Sequence, residues 1–468
     1  MGFYDAIRVG ASVAADDVVI DRSLRFTKAS NSQLNRTGTS TSSSYTVSVW
    51  FKYCAVGNNT LDVLFSLGQA NDANSAFMGI NNNDQFVIYN SGGYQYTSTS
   101  VYRDPSAWYH FTMSVNSNSY TAYINNVSID TGTLRSLDTT SNGLRVGVQY
   151  GNYYPWDGYL ADFYLIDGSA LTPSSFTKTN VETGQLIPKK YSGSFGTSGA
   201  HLTFSDNSGT TATTLGKDSS GNGNNFTPSN FSVSAGVDND SLEDTPTNNF
   251  CTLNPLDKSN NASLRAGALT LYTNSNDQAA VGTFAVKSGK WYWEVDKNDA
   301  EPEIGIAHHN MPLSNKTVSL PSDGQISFIV AGADGNSNFL RVDGNTQTGT
   351  GMSAQTGTGS IGIALDMDNK KIWWSDLSGN YFNSGNPVTG ANAQVDFSST
   401  GPNYPTGFVT PFVSMYQGAN KTVSINFGQR PFTHTQPTGY KTLNSANLPE
   451  PTILLPNQHF NTLLYTGN

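Results

Sequence analysis

Cysteine, charge and long apolar runs are all scarce in this 468-residue chain, and each scarcity removes a class of protein. Two cysteines, Cys54 and Cys251, cannot build a disulfide framework; they read as buried free thiols in different modules of a protein made in a reducing cytoplasm. Charged residues make up 13% of the chain, against about 25% in ordinary globular proteins. The net charge of −10 and the pI near 5.0 tell against nucleic acid or an anionic membrane as partner. No stretch approaches the ~20 apolar residues that span a bilayer. The start, MGFYDAIRVGASVAADDVVIDR, lacks the basic-then-apolar pattern of a signal peptide. Nucleophile elbow, phosphate loop and Cys/His zinc spacing are all missing from the sequence.

What fills the chain instead is Gly, Ser, Thr and Asn, with 45 Gly and 23 Tyr. Few strong helix formers, many aromatics and frequent turn residues favour an all-β protein. The 12% aromatic content also argues against disorder, because such rings bury large areas. YTVSVWFKY at 45–53 alternates cleanly, with Val47, Val49 and Phe51 on one face. Turn clusters such as Asn81-Asn82-Asn83-Asp84 and Asn125-Asn126 separate further strand candidates at the spacing of a sandwich. Later, Ile361, Ile363, Leu365 and Met367 alternate, Asp368-Asn369-Lys370 supplies turn chemistry, and Ile372, Trp373 and Trp374 begin a return strand. That hairpin is expected to set Trp373 and Trp374 on opposite sides of a sheet.

The expected fold is all-β: two antiparallel, jelly-roll-like β-sandwich domains joined by an irregular packed connector. The boundaries read as 1–22 for an N-terminal anchor or interface arm, with a short helix candidate at Tyr4–Val9, and 23–176 for the first sandwich. A Gly/Ser/Asn-rich connector follows at 177–247, then the second sandwich at 248–443 and a C-terminal tail at 444–468 suited to a subunit contact. Phe226 and Phe231 argue that the connector docks on a neighbour rather than swinging freely.

Two resemblances sharpen this. LRF at 24–26, SVWFKY at 48–53, WYHFTMSVNSNSYTAYINNV at 108–127 and DGYLADFYLIDGSALTPSSF at 157–176 together resemble a concanavalin A-like, laminin G-type jelly roll, with Asn126 where that family's hairpin usually has Gly. GKWYWEVD, EIGIAHHN, the Ser360–Phe382 hairpin, FVTPFVSMY and KTVSINFGQRPF resemble a SPRY (B30.2-like) domain in order and motif. Both folds imply recognition through loops. The join of the first module to IPKKYSGSFGTSG, LGKDSSGNGNNFTPSNFSVSAG and the second module resembles virion structural proteins of marine tailed phages. That resemblance implies a non-catalytic virion component, a peripheral fibre, spike or adsorption protein whose loops recognise host-surface glycan. It also implies other virion proteins as partners, a homo-oligomer with a trimer favoured, and neither nucleic-acid binding nor membrane insertion. A head-decoration or tail-scaffold protein is the alternative, and a polysaccharide-degrading enzyme the minor one.

For a glycosidase the candidates are the carboxylate pairs Glu294/Asp296, Glu301/Glu303 and Asp366/Asp368, but each has a simpler structural reading. The first module also lacks the E-x-D-x-x-E strand of related jelly-roll glucanases. His308 and His309, adjacent on a strand, are expected to point apart and not to share a metal. No catalytic residue, metal ligand or cofactor is therefore assigned. Calcium is left open: Asp238-Asn239-Asp240, Glu243-Asp244 and Asp218 to Asn222 offer hard oxygens, though without EF-hand order, and a solvated acidic loop is simpler. The best binding candidate is the loop QYGNYYPWDGY, through Tyr150, Tyr153, Tyr154, Trp156 and Asp157. Flat aromatic faces stack on sugars while carboxylates and amides bond hydroxyls. Tyr94 and Tyr96 offer a second aromatic loop, and Tyr404 and Tyr416 possible contacts in the SPRY-like half.

Overall fold

The computed structural model describes residues 18–449 apart from 39–40, 58–59, 69–74, 139–142, 182, 275–277, 299–300, 312, 314–324, 331–338, 343–344, 348–351, 399–406 and 418–419. The Tyr4–Val9 helix candidate and the tail beyond 449 lie outside the described residues. Within them the chain is β throughout, with only two single-turn 3-10 segments, Pro173–Ser175 and Phe382–Ser384.

The first sandwich opposes two sheets. One runs Val127–Thr133, Ser119–Ile124, Tyr109–Asn116, Tyr45–Tyr53, Gly158–Asp167, Ser23–Phe26 and Ser241–Leu242, with Ala200–Leu202 also pairing to Gly158–Asp167. The other runs Thr227–Ser229, Gln33–Arg36, Leu144–Val146, Asp62–Gly68, Ser75–Ile80, Gln85–Asn90 and Gly93–Val101. Residues 177–247 thus contribute three short strands to the edges and flank of these sheets, and Phe226 enters the core beside Phe163. Leu24, Val47, Val49, Phe51, Phe65 and Phe111 fill the space between the sheets. Two tight hairpins need left-handed residues at both turn positions, and Asn125-Asn126 and Ser117-Asn118 supply them at φ 49° and 67°, and 48° and 67°. Asn tolerates that geometry, which accounts for Asn126 where a glycine is usual.

The second sandwich opposes a sheet of Leu253–Lys258, Gln278–Gly282, Val409–Gln417, Glu301–His308, Gln325–Ile329, Phe339–Val342 and Asn345–Gln347 to one of Ser263–Arg265, Thr270–Thr273, Lys421–Asn426, Lys290–Lys297, Gly359–Asp366, Lys371–Trp374 and Val395–Asp396. Trp291, Trp293 and Val295 alternate into its core, facing Ile304, Ile306, Val409 and Val413. The Trp373/Trp374 pair does straddle its sheet. Trp374 enters the core and donates its indole N–H to the Ile304 carbonyl at 3.1 Å, while Trp373 packs with Tyr292 and Tyr440 on the outer side. Both are fully buried, because the closing segment up to Tyr440 covers that outer face. A buried tryptophan removes roughly 200 Å² from water, worth at most about 5 kcal/mol, so this hairpin anchors the module. The left-handed residue of its turn is Lys370 rather than Asp or Asn. Asp366 instead receives the Asp368 and Asn369 amides at 3.1 and 3.0 Å.

The two sandwiches meet along a buried seam. Lys52 and Tyr159 are register partners on the first module, and Arg25 pairs with Tyr159 on the other side. The Lys52 ammonium is fully buried and bonded to Asp244 Oδ2 at 2.8 Å, Asn249 Oδ1 at 2.8 Å and the Phe250 carbonyl at 3.1 Å. Trp108 donates its indole N–H to the other Asp244 oxygen at 3.1 Å. Tyr159 donates to the Gly267 carbonyl at 2.7 Å and joins the apolar cluster of the second module, as does Cys54. Gly267 has φ +66°, and a Cβ there would stand 2.6 Å from the Tyr159 hydroxyl, so only glycine fits this approach. Cys54 and Cys251 are both buried free thiols in one continuous cluster.

Candidate functional site

Where the second sheet of the first sandwich meets the tip of the 149–159 loop, the surface forms an open depression of about 380 Å³. Tyr94 and Tyr154 line it, from segments sixty residues apart in sequence. Lys28, Thr60 and Leu61 form another part of the lining, and Asn81, Asn82 and Pro155 complete it.

Each ring is held in place. Tyr94 opens the Gly93–Val101 edge strand and is 56% exposed. Its ring stands perpendicular to Tyr89 at 5.5 Å and to Phe77 at 6.4 Å, and those two stack on each other at 4.6 Å. Tyr154 is 46% exposed and adopts φ +56°, a left-handed conformation that costs a non-glycine residue on the order of 1 kcal/mol. The Val63 amide donates to its carbonyl at 2.9 Å and holds it there. Tyr153, 61% exposed, follows with its ring 6.2 Å from that of Tyr154. Asn82 is exposed, and its side chain makes no hydrogen bond among the described residues. Asn81, by contrast, caps its turn by accepting the Asn83 and Gln85 amides at 2.9 and 3.1 Å.

Beneath them the charges are closed off. The Lys28 ammonium donates to Thr60 Oγ1 at 2.5 Å, the Leu61 carbonyl at 3.3 Å and Asp62 Oδ1 at 2.7 Å, which occupies all three of its N–H bonds. Asp62 is fully buried, and its second oxygen receives the Tyr53 hydroxyl at 3.1 Å. Burial, then the Asp62 and Asp84 charges, push the Tyr53 phenol far up, so it serves as a neutral donor.

Four of the expected contact residues do not reach this surface. Trp156 is fully buried, edge-on to Phe51 at 5.8 Å and tilted against Tyr53 at 5.3 Å; it is a core residue, because the chain turns inward after Pro155. Asp157 faces the seam, where it accepts the Gly267 amide at 3.3 Å. Burial, and next the Asp62 charge, push its carboxyl up to about 6. Tyr150 lies under the Arg145 guanidinium at 4.8 Å, which occupies its face. Tyr96 and Tyr94 do not share a loop. Tyr94 pairs with Tyr89 and Tyr96 with Ile88 across a bulge, so Gln95 is the extra residue and the two rings fall on opposite faces. Tyr96 consequently packs on the core. Tyr404 lies outside the described residues; Tyr416 lies near the end of the Val409–Gln417 strand and only its backbone is described.

Five of the carboxylates weighed for catalysis are engaged structurally, Asp368 by accepting the Gly289 amide at 2.7 Å, while the Glu301 side chain lies outside what is described. Glu294 accepts the Thr433 and His434 amides at 2.8 Å each and the Tyr292 hydroxyl at 3.0 Å. Asp296 binds Arg430, Glu303 accepts the Ser327 hydroxyl at 2.6 Å, and Asp366 binds Lys290 at 3.1 Å. Three of the acidic residues weighed for calcium are also bonded: Asp218 accepts three backbone amides, Asp240 pairs with Arg25, and Asp244 with Lys52. Among the described residues no three His, Cys, Asp or Glu side chains converge as metal ligands would. His308 and His309 do not point apart. The strand ends at His308, and the turn brings the ring centroids to 4.5 Å.

Residues 26–175 match the Laminin_G_3 family model, described as the Concanavalin A-like lectin/glucanases superfamily. Among solved structures the chain is similar to the SPRY domain of human HERC1, at 17% identity and TM-score 0.29, over 38% of this chain and 99% of that one. It is similar to the PSpry domain of TRIM65, at 14% identity and TM-score 0.27, over 38% of this chain and 88% of that one. It is also similar to a putative carbohydrate binding protein from Bacteroides ovatus ATCC 8483, at 15% identity and TM-score 0.32, over 45% of this chain and 58% of that one. No curated protein matches the chain.

Proposed function

We propose that this chain is a non-catalytic structural component of a tailed-phage virion, a peripheral fibre, spike or adsorption protein whose first sandwich recognises host-surface carbohydrate. The observation that carries the reading is the depression walled by Tyr94 and Tyr154. Two exposed, immobilised phenol rings there flank neutral amides and hydroxyls, the combination that stacks on a sugar ring and bonds its hydroxyls. The match of residues 26–175 to a superfamily of lectins and glucanases supports the same reading, since the glucanase half of that description needs free carboxylates and Glu294, Asp296, Glu303, Asp366 and Asp368 are bonded. Polar, weakly charged surfaces and tandem sandwiches suit a particle's exterior. In this reading the chain is made in the host cytoplasm and works on the virion as a homo-oligomer, a trimer favoured, among other virion proteins.

The test is adsorption. Purified chain carrying Tyr94→Ala is expected to assemble and melt as the wild type does, yet to bind host cells and their extracted surface glycans at least tenfold more weakly. Unchanged cell binding, with particles that fail to assemble when the chain is removed, would favour a purely structural decoration role. Release of new reducing ends from host polysaccharide would overturn the non-catalytic part.

A further inference from the structure

Resting on the carbohydrate reading of that site, we propose that the Tyr94–Tyr154 depression selects uncharged sugars and discriminates against sulfated and uronic or sialic acid residues. A surface lysine beside an aromatic wall is ordinarily the group that would capture an anionic sugar, and Lys28 lines the depression. Here, however, its three N–H bonds already go to Thr60, the Leu61 carbonyl and Asp62. To reach a ligand the ammonium would have to release Asp62, a fully buried carboxylate that it holds at 2.7 Å. Parting a buried carboxylate from its cation costs more than one new contact to an exposed anion returns. The lysine therefore acts as a brace for the floor and offers the ligand no free positive charge.

The groups that do face the ligand are neutral. The phenols of Tyr94 and Tyr154 make no hydrogen bond among the described residues, and the Asn82 side chain is likewise exposed and unengaged. These can donate to and accept from hydroxyls, and the ring faces can take the C–H side of a pyranose. An acidic residue would bring its charge to a site whose described lining offers no free cation, on a chain of net charge −10. Two walls contributed by separate segments also suit consecutive sugar units rather than a single capped one. The preference expected is for neutral hexose or deoxyhexose units within an oligosaccharide.

The experiment is a binding titration of the full chain against matched oligosaccharides that differ only in sulfation or carboxylation, at about 50 and 500 mM NaCl. The expected result is that neutral members bind at least tenfold more tightly than their acidic counterparts, with affinity changing less than twofold between the two salts, and that Tyr94→Ala abolishes the preference. If the acidic members bind more tightly and weaken steeply with salt, the selectivity is wrong while carbohydrate recognition stands. If neutral and acidic members bind alike, the selectivity is again wrong. If no oligosaccharide binds, or Tyr94→Ala binds as the wild type does, the carbohydrate reading of this site falls and the selectivity with it. Thr60→Val, which removes one acceptor from Lys28 at an exposed position, is the second variant; it should raise affinity for the acidic members alone.

Discussion

Asp157 should make this protein less stable as pH rises from acid to neutral, and Asp157→Asn should remove that component. Its carboxyl lies under the seam and accepts one N–H, from Gly267, at 3.3 Å. Burial raises its pKa first and the neighbouring Asp62 charge second, from an ordinary 3.8 to about 6. Between those values the folded chain holds a proton that the unfolded chain has released, so stability falls with rising pH across that window. The favourable contribution is complete below about 3.8 and is lost as pH passes about 6. A difference of that size corresponds to at most about 3 kcal/mol at pH 7.5. Asparagine has the same shape, keeps an oxygen for the Gly267 amide and never ionises. Thermal unfolding followed by fluorescence should show Asp157→Asn melting above the wild type at pH 7.5 and together with it near pH 4. Carboxylates remote from the seam contribute equally to both proteins, so the difference between them reports this group and its coupling to Asp62. A variant that melts lower at pH 7.5, or one whose advantage is the same at both pH values, would refute the account.

Two further outcomes follow from the seam and the core. Lys52→Met leaves Asp244 buried without its cation, which should cost about 3–5 kcal/mol in chemical denaturation, and adding Asp244→Asn should recover part of that loss. Trp156→Ala opens a cavity between Phe51 and Tyr53 and should destabilise the first sandwich by about 3–5 kcal/mol, and the protein that remains folded should bind glycan more weakly, because the loop carrying Tyr154 loses its buried anchor.

The all-β class, the strand faces and the Trp-rich hairpin are legible in the sequence because each depends on alternation within one segment. YTVSVWFKY and SIGIALD alternate over enough residues to fix which side chains point together. The outer faces escape such reasoning. Both faces of Tyr45–Tyr53 are buried, since the chain on either side and the second sandwich cover the face that alternation marks as polar. Nothing local announces that Lys52, next to last in that strand, will meet Asp244 nearly two hundred residues later. The candidate site was half legible. Its exposed tyrosines could be named, but Lys28, Thr60 and Asn82 are brought to them only by the order of strands in the sheet. The bulge at Gln95 is the other hidden element. Period-two reasoning places Tyr94 and Tyr96 on one face, and a single inserted residue sends Tyr96 into the core.

The loop QYGNYYPWDGY shows why aromatic density alone is a poor guide to contact. Within five residues it presents two exposed tyrosines, then a fully buried tryptophan, then a carboxylate bonded across the seam. The latter two give the former their rigidity. The Trp156 amide donates to the Gly147 carbonyl at 2.8 Å, its indole sits in the core, and Asp157 is tied to Gly267 of the second sandwich. Tyr154, one residue beyond Pro155, is thereby held in a backbone conformation it would otherwise leave, with the Val63 amide closing the other side. Ordering a free loop on binding costs about 1–2 kcal/mol per residue fixed, and this loop is fixed before any ligand arrives. The second sandwich can thus serve recognition without touching a ligand, by buttressing the loop from which the first one binds.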